Sequence, residues 1–417
     1  MKKLSLLVAA ACLSGTVGAT DLLQVYRMAL DNDPQFLAAR YQQDAGREKE
    51  AQGLSGLLPT LGVSANTQWN DVDRELRGSN LPKANAKYNS NGYTATLTQP
   101  LFRWQNIVSY QQGKMQAAQA EAQFAQARQD MILRVATAYF DVLLAEVNLA
   151  SLQAQKKAIA QQLEQAKKNF EVGTATIVDT HEAQSRYDLA TAQEIAADSE
   201  LEIKRRALEV IVGRDPGQLA MVREKVELEQ PQPPALKPWL EAAEKDAISV
   251  QLQQLALEIA DKEVSRNRAG HYPTLDAVVT RGNAAQSALL PTSGGGAAPG
   301  FETNSTTAAL QLNIPLFQGG YVNSKTREAV ANREAASQQL EAARRNAAQA
   351  ARQAYLGVSN GTAQVTALRA ALVSSQSSLE SNRLGYEVGV RINIDVLNAE
   401  QQLYVTRRDL ARAFHDT

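Results

Sequence analysis

The chain is a tandem duplication, and this duplication constrains the fold more than any single motif. Four short motifs recur in the same order at an offset near 215 residues: Leu-Pro-Thr-Leu at 58–61 and Tyr-Pro-Thr-Leu at 272–275, Gln-Pro-Leu-Phe at 99–102 and Ile-Pro-Leu-Phe at 314–317, Ala-Tyr at 138–139 and 354–355, and Phe-Glu-Val-Gly at 170–173 and Tyr-Glu-Val-Gly at 386–389. Because one offset relates all of them, they mark a repeated structural unit.

The repeat divides the chain into four predicted segments. Residues 1–19 form a signal peptide, 20–213 the first repeat, 214–236 a Pro-rich connector and 237–417 the second repeat. Each repeat is expected to contain a first helix, two strands, a very long helix and a returning helix. The repeat offset places the end of the last helix beyond Thr417, so we expect that helix to be about twelve residues shorter than its counterpart.

The beginning of the chain has the pattern of a secretory signal peptide. Two lysines open it, residues 4–17 are mostly apolar, and Val-Gly-Ala at 17–19 offers small residues for cleavage. The only cysteine, Cys12, would leave with this peptide, so the mature chain would contain none. The alternative is that Cys12 becomes a lipidated N-terminus.

One stretch in each repeat is far longer than an ordinary globular helix. Neither proline nor glycine occurs between Gly113 and Gly173, and a helix over 114–172 would be roughly 90 Å long. Its apolar residues recur every three or four positions and form a stripe: Ile132, Ala136, Tyr139, Leu143 and Val147. Such a helix needs partners along its length. The first helix of each repeat (about 21–53 and 237–268), stacked end to end with the returning helix, would cover it.

Four short segments alternate between apolar and small polar residues, as β-strands do. The segments are 61–70, 93–97, 275–279 and 308–314. An ordinary half-buried sheet is one interpretation. Three properties favour strands that cross a membrane: they extend to about ten residues, their polar face is uncharged, and long polar loops are expected at 71–92 and 281–304.

Membrane-crossing strands would require an oligomer. Four strands per chain do not close a barrel, and an open sheet edge is not tolerated in lipid. No run of about 20 apolar residues occurs, so a transmembrane helix is not expected. Three copies would give a closed twelve-stranded barrel, with the long helices forming a second tube. The membrane interpretation therefore predicts a homotrimer.

Composition excludes several classes of function. The chain has 43 Lys+Arg against 44 Asp+Glu, a formal net charge of −1, and so lacks the basic surface that nucleic acid requires. Three histidines lie far apart and one cysteine is present, which argues against a metal site. No nucleophile elbow, P-loop or metal-spaced cluster occurs. We therefore expect no catalytic residue, no metal and no cofactor.

The order and spacing of these motifs resemble the TolC family of outer-membrane efflux and secretion channels. The resemblance covers roughly residues 20–414 and rests on the duplicated half, the strand pairs ending in Gln-Pro-Leu-Phe or Ile-Pro-Leu-Phe, the Ala-Tyr pairs and the two Val-Gly turns followed by aspartate. The segments 316–320 and 389–391 are closer to the TolC branch than to the lipoprotein drug-efflux branch.

The resemblance implies a mainly α-helical fold with a membrane β-barrel. Duplicated long helical hairpins would form a trimeric α-barrel in the periplasm, and four strands per chain would contribute to a shared twelve-stranded barrel in the outer membrane. The trimer would export drugs or type I secreted proteins, with a periplasmic adaptor and an inner-membrane transporter of the ABC or RND type as partners. The alternative from a different class is a periplasmic coiled-coil adaptor or scaffold without a pore.

The resemblance also implies a gate at the periplasmic end. Tyr386 and Arg391 flank the second Val-Gly turn and would bond as a latch to Asp179, which follows the first turn. Asp395 would be the constricting acid on the threefold axis. Asn398 lies where the family pattern has a second aspartate, so the trimer would carry one ring of three carboxylates and would bind cations less strongly.

The predicted ring of Asp395 carboxylates has a physical basis, and Asp179 and Asp395 also have a second interpretation. Three carboxylates on one axis repel each other, raise each other's pKa and attract cations. Asp395 and Asn398 are three residues apart and share a helix face. Alternatively, Asp179 and Asp395 are N-caps of the returning helices.

Overall fold

The two halves of the chain form the same succession of elements in this computed structural model, which describes residues 19–75, 77–78, 84–222, 228–289 and 298–417. The first half contains α1 (Leu22–Asn32), α2 (Pro34–Ser55), β1 (Thr60–Arg74), β2 (Ala84–Phe102), α3 (Trp104–Glu171) and α4 (Ile177–Val212). The second half contains α5 (Leu236–Asp246), α6 (Ile248–Arg268), β3 (Thr274–Leu289), β4 (Ala298–Asn313), α7 (Tyr321–Glu387) and α8 (Asn393–Asp416). Apart from Ala19, the predicted signal peptide lies outside the described residues.

The first helix of each half is broken in two, where the sequence predicted one continuous helix. In the first half, α1 ends at Asn32 because Asp33 precedes a proline and adopts an extended conformation, with φ −68° and ψ 114°. Pro34 then opens α2, a position that suits its fixed φ. The second half breaks at Ala247, also extended, without a proline. Local sequence therefore signals the break in one half only.

The four strands form one antiparallel sheet in the order β1-β2-β3-β4. At 15, 19, 16 and 16 residues they are longer than predicted. Most described residues of the two predicted loops, 71–92 and 281–304, belong to strands, so the loop prediction was wrong for them. It failed because polar residues in these stretches meet across the hairpin, as Lys87 and Asp71 do at 3.0 Å, and their backbones remain paired.

The sheet has one apolar and one small polar face, as the alternation predicted. Exposed apolar side chains share one face: Leu61, Val63, Trp69, Tyr93, Leu97, Val279, Leu310 and Leu312. The opposite face carries small polar residues: Ser64, Thr94, Thr96, Thr280 and Thr307. A contiguous exposed apolar surface of this kind marks a contact with membrane or protein.

Returning helix α4 packs through a column of small residues spaced by seven. Ala183, Ala190 and Ala197 are buried; Ala183 packs with Leu163 of α3, and Ala190 packs with Ile159. A seven-residue repeat is typical of coiled-coil packing. The long and returning helices therefore form a close hairpin, as predicted.

Helix α3 is apolar enough to cross a membrane by length and composition alone. It contains an 18-residue window with a mean hydropathy of 1.4, of which 28% is buried within the chain. The expectation that no such helix exists was therefore too strict, because isolated charges interrupt an apolar run without greatly lowering its mean. Buried positions of α3 include Met131, Val135 and Val142, so one side of it packs within the protein.

Packing divides the chain into two units, and each unit takes segments from both repeats. One unit comprises the described parts of Met1–Arg40, Ala125–Glu244 and Ala347–Thr417. It contains both turns between long and returning helices, together with the described part of the connector. The other comprises the described parts of Tyr41–Phe124 and Lys245–Asn346 and contains the sheet.

Candidate functional site

The predicted gate lies at the turns between long and returning helices, and the two turns have the same backbone geometry. We call α3–α4 the first hairpin and α7–α8 the second. Gly173 and Gly389 adopt left-handed conformations, with φ of 77° and 79°, and end the long helices. In the first turn the next two amides donate to the carbonyl of Asn169, at 2.8 and 3.2 Å; in the second they donate to Gly385, at 2.9 and 3.0 Å.

Asp179 closes a capping box at the start of α4. Its carboxylate accepts hydrogen bonds from the Thr176 amide (2.8 Å) and the Thr176 hydroxyl (2.7 Å), and its own amide donates to that hydroxyl. The N-cap is therefore Thr176, three residues before Asp179, which corrects the alternative prediction. The carboxylate stiffens the exit from the first turn.

Asp395 occupies the equivalent third position of α8. The N-cap is Ile392, whose side chain offers no capping bond, so the N-cap interpretation of Asp395 is also wrong. The Asp395 carboxylate lies 3.7 Å from the guanidinium of Arg391, and both side chains are partly exposed. An exposed pair of this kind contributes little stability, which leaves the carboxylate available to other groups.

The three predicted latch residues lie at the turns, but contacts among the described residues do not join them to one another. Asp179 bonds within its own capping box, and Arg391 pairs with Asp395. The Tyr386 hydroxyl accepts a 3.4 Å hydrogen bond from the side-chain amide of Asn169. The Asn169–Tyr386 contact does join the two hairpins. Asn169 was not among the predicted residues, although it immediately precedes the repeated Phe-Glu-Val-Gly motif.

Asn398 is held by an arginine of the other hairpin. Arg186 of α4 donates from one guanidinium nitrogen to Asn398 (3.1 Å) and from another to Gln401 (2.5 Å). Two neutral amide oxygens therefore face the cation where an aspartate at 398 would have formed an ion pair. This second contact between hairpins was also missed, because no local pattern places Arg186 beside α8.

The second hairpin contains an ion pair behind its turn, between a buried carboxylate and a half-exposed arginine. Arg383 donates to the carboxylate of Glu400, which is only 2% exposed. The other carboxylate oxygen is buried and has no hydrogen-bond partner among the described residues. The repeat equivalent of Arg383 is Lys167, which pairs instead with exposed Glu164 at 3.3 Å. The two hairpins are therefore held differently close to their turns.

Both turns expose apolar side chains. The exposed residues are Phe170, Val172, Ile177 and Val178 at the first turn, and Val388, Val390 and Ile392 at the second. Apolar tips on otherwise polar hairpins are suited to contact with another protein.

The repeated Ala-Tyr motif holds the connector. The buried Tyr139 hydroxyl donates to the carbonyl of Ala220 at 2.6 Å, and the Tyr355 hydroxyl donates to the carbonyl of Pro234. Burial raises the pKa of Tyr139, and the nearby Asp21 carboxylate adds to this effect. Each long helix thus binds the connector through the same tyrosine of its repeat.

We expect Tyr139→Phe to lower the free energy of unfolding by about 1 kcal/mol, because it leaves the Ala220 carbonyl without this donor. Thermal unfolding followed by circular dichroism measures the change. Tyr355→Phe is the matched control, and its more exposed bond predicts a smaller loss. An equal loss of unfolding free energy in both variants would contradict the prediction that the buried hydrogen bond of Tyr139 contributes more stability than the exposed one of Tyr355.

No group of three or more His, Cys, Asp or Glu side chains in the described part of the chain could hold a metal ion.

A groove of about 660 Å³ between α3, α4 and α8 is lined by mixed polar and apolar residues. Lys204 pairs with Asp141 at the wall of this groove, at 2.8 Å. The groove lining does not assemble a nucleophile with a base.

Comparison with known proteins identifies what this chain resembles. Residues 25–214 and 239–416 match the family described as "Outer membrane efflux protein", and the unmatched interval corresponds to the connector. The "Outer membrane protein TolC" of Vibrio cholerae is 35% identical over 100% of this chain and 93% of its own length. The "Alkaline protease secretion protein AprF" of Pseudomonas aeruginosa is 32% identical over 95% of this chain and 82% of its own length. The crystal structure of the Campylobacter jejuni CmeC outer membrane channel shares the fold, with a TM-score of 0.80, 16% identity and coverage of 94% of this chain and 82% of that one.

Proposed function

The chain belongs to the outer membrane efflux protein family, and from this premise we propose how it assembles and how its entrance works. It is an outer-membrane export channel protein. The family is one of channels and not of enzymes. The alternative of a periplasmic adaptor without a pore is not favoured, because the match to the channel family includes both helical hairpins and all four strands.

The active form is a homotrimer with its sheet in the outer membrane. The observation that carries this proposal is the sheet itself: it has one exposed apolar face, and β1 and β4 each lack a neighbour on one side among the described strands. Unpaired backbone groups are not tolerated in lipid. Three copies pair these edges and close a twelve-stranded barrel, whose apolar face meets lipid and whose polar face meets water.

The hairpins extend into the periplasm and form a second tube that ends at the two turns. Partners at that end are a periplasmic adaptor and an inner-membrane transporter of the ABC or RND type. The exposed apolar residues of both turns support this docking. The cargo is drugs or type I secreted proteins; the family description, which names efflux, and the name of AprF, which names protease secretion, support this proposal.

The entrance is closed by contacts between hairpins and carries a ring of Asp395 carboxylates. In a trimer, the first hairpin of one subunit neighbours the second hairpin of the next, so Arg391 can reach Asp179 of the partner subunit. Arg391 already binds an acid weakly at 3.7 Å within its own chain, and a second acid can compete for it. Within one subunit, the hydrogen bonds of Asn169 with Tyr386, and of Arg186 with Asn398 and Gln401, join the two hairpins.

We expect Asp395→Asn to weaken block of the channel by multivalent cations on the order of tenfold, because it removes the ring of three negative charges. The measurement is single-channel conductance in planar bilayers during titration with a trivalent cation on the periplasmic side. Glu171→Gln is the matched control, since it removes an exposed acid beside the first turn without touching the ring. Unchanged block in Asp395→Asn would contradict the axial position of Asp395.

A further inference from the structure

The seam between subunits of the proposed trimer has a register that the internal repeat determines. The β1–β2 hairpin pairs Thr60 with Thr98, and the β3–β4 hairpin pairs Thr274 with Asn313. The offset is 214 residues between β1 and β3, and 215 residues between β2 and β4. The two hairpins therefore superimpose position by position, including their pairing.

The central seam of the sheet joins the two hairpins within one chain. There β2 pairs with β3, with Leu97 opposite Val279 and Ala95 opposite Arg281. In a closed barrel, β4 of one subunit meets β1 of the next in the same relation. Transferring the central register by the repeat offsets places Leu312 opposite Ala65 of the partner subunit, and Leu310 opposite Thr67 of the partner subunit.

Strand β4 ends earlier than its repeat equivalent β2, because β4 has no neighbouring strand on one side among the described strands. Strand β2 continues to Phe102, with a bulge after Pro100, because β3 pairs with it there. Its copy β4 stops at Asn313, and the equivalent residues 314–317 are not strand. Leu316 and Phe317 are 92% and 87% exposed, against 54% and 40% for their counterparts Leu101 and Phe102. Residues 314–317 would therefore continue β4, as residues 99–102 continue β2, only when a strand of another chain pairs with them.

The transferred register also keeps the two faces of the sheet continuous. The residues on the apolar face are Ala308, Leu310 and Leu312 in β4, and Leu61, Val63, Ala65 and Trp69 in β1. In the transferred register Leu312 lies opposite Ala65 and Ala308 lies opposite Trp69 of the partner subunit, so the two apolar faces are continuous. A slip of one residue would place leucines of β4 beside the polar face of β1.

One contact of the central seam has no copy at the seam between subunits. Arg103 binds the buried Asp276 through two nitrogens, at 2.8 and 2.6 Å. The repeat equivalents of these residues are Gln318 and Gly62. A side chain added at Gly62 meets no described atom within 4 Å in the single chain.

We infer that β4 pairs with β1 of a second copy in the register that sets Leu310 opposite Thr67 of the partner subunit, and that this seam lacks the ion pair that ties β2 to β3. The inference rests on the proposed trimeric barrel and specifies its interface. It assigns each barrel three seams closed by Arg103 and Asp276 and three seams without such a pair.

Disulfide cross-linking tests the register. In a Cys12→Ser background, Leu310→Cys is combined in turn with Thr67→Cys, Ala65→Cys and Trp69→Cys. Within one chain, residues 310 and 67 lie on opposite edges of the four-strand sheet, and three strand spacings alone separate them by at least about 14 Å. Any disulfide between them therefore joins two chains. Ala95→Cys with Arg281→Cys is the matched control within one chain.

The expected result is that the 310/67 pair forms dimers and trimers on denaturing gels at least about fivefold faster than the other two pairs. Faster cross-linking of 310/65 or 310/69 would overturn the register while leaving the trimer intact. No cross-linking in a protein of trimeric native mass would overturn the β4–β1 seam. A monomeric native mass would instead overturn the proposed function.

A second experiment introduces the ion pair of the central seam at the seam between subunits. Gly62→Asp combined with Gln318→Arg is expected to raise the temperature at which the detergent-solubilised trimer dissociates, relative to either single variant. No gain in the double variant would contradict the predicted position of residue 318 beside residue 62 of the partner subunit.

Discussion

Replacing Arg383 with alanine is expected to destabilise the second hairpin by about 3 kcal/mol, because it leaves a buried carboxylate without a partner. The half-exposed Arg383 side chain places the value at the lower end of the usual range. Glu400 is 2% exposed, and one of its oxygens already lacks a hydrogen bond from the described part of the chain. The lost pair lies close behind the second turn, so the entrance should also become leaky. Thermal unfolding and the open fraction in single-channel recordings measure the two effects.

The repeat supplies the control for this prediction. Lys167 is equivalent to Arg383 but pairs with exposed Glu164, so Lys167→Ala should cost about 0–1 kcal/mol. The double variant Arg383→Leu, Glu400→Leu removes both charges and should recover most of the lost stability. Equal effects of Arg383→Ala and Lys167→Ala would show that burial of Glu400 is not decisive.

Replacing Arg103 with alanine is expected to cost about 3 kcal/mol at the central seam of the sheet. Asp276 is buried and accepts two hydrogen bonds from the Arg103 guanidinium. Removal of the guanidinium therefore leaves the Asp276 carboxylate buried without its partner between β2 and β3. Because the Arg103 side chain is partly exposed, the expected loss of stability is at the lower end of the usual range for a broken buried ion pair. The detergent-solubilised protein should dissociate at a lower temperature than the unaltered chain.

An exposed pair on the same sheet is the control. Lys87 lies 3.0 Å from Asp71, with both side chains largely exposed, and Lys87→Ala should leave the stability nearly unchanged. Asp276→Ala in the Arg103→Ala background should restore part of the loss. Absence of any restoration would indicate that Arg103 acts by packing and not by neutralising Asp276.

The duplicated architecture could be predicted from the sequence because it depends on features that repeat. The two long helices, the Val-Gly turns and the alternating strands each occur twice at one offset, and turn geometry follows from glycine at 173 and 389. The family membership that these motifs suggested is confirmed by a match over residues 25–214 and 239–416.

The predictions that failed concern places where tertiary pairing overrides local preference. Stretches rich in Asn, Asp and Gly have turn composition, yet they continue as strand because each is paired along the hairpin. The break at Ala247 has no proline to announce it. Contacts such as Asn169 with Tyr386, or Arg186 with Asn398, join residues more than 200 positions apart. Periodicity places such residues on helix faces but does not say which faces meet.

The gate residues remain predictions for the assembled protein. Asp179 and Arg391 each have a partner within one chain, so a latch between them requires one subunit to compete with the other's own contacts. Weak exposed pairs can exchange in this way.

The native mass of the protein, extracted in detergent from the outer-membrane fraction, tests the trimeric channel most directly. We predict a particle containing three copies of the 45.2 kDa chain, less any cleaved peptide, because the two edges of the sheet require neighbours in lipid. Recovery of the protein as a soluble periplasmic monomer would contradict the channel account.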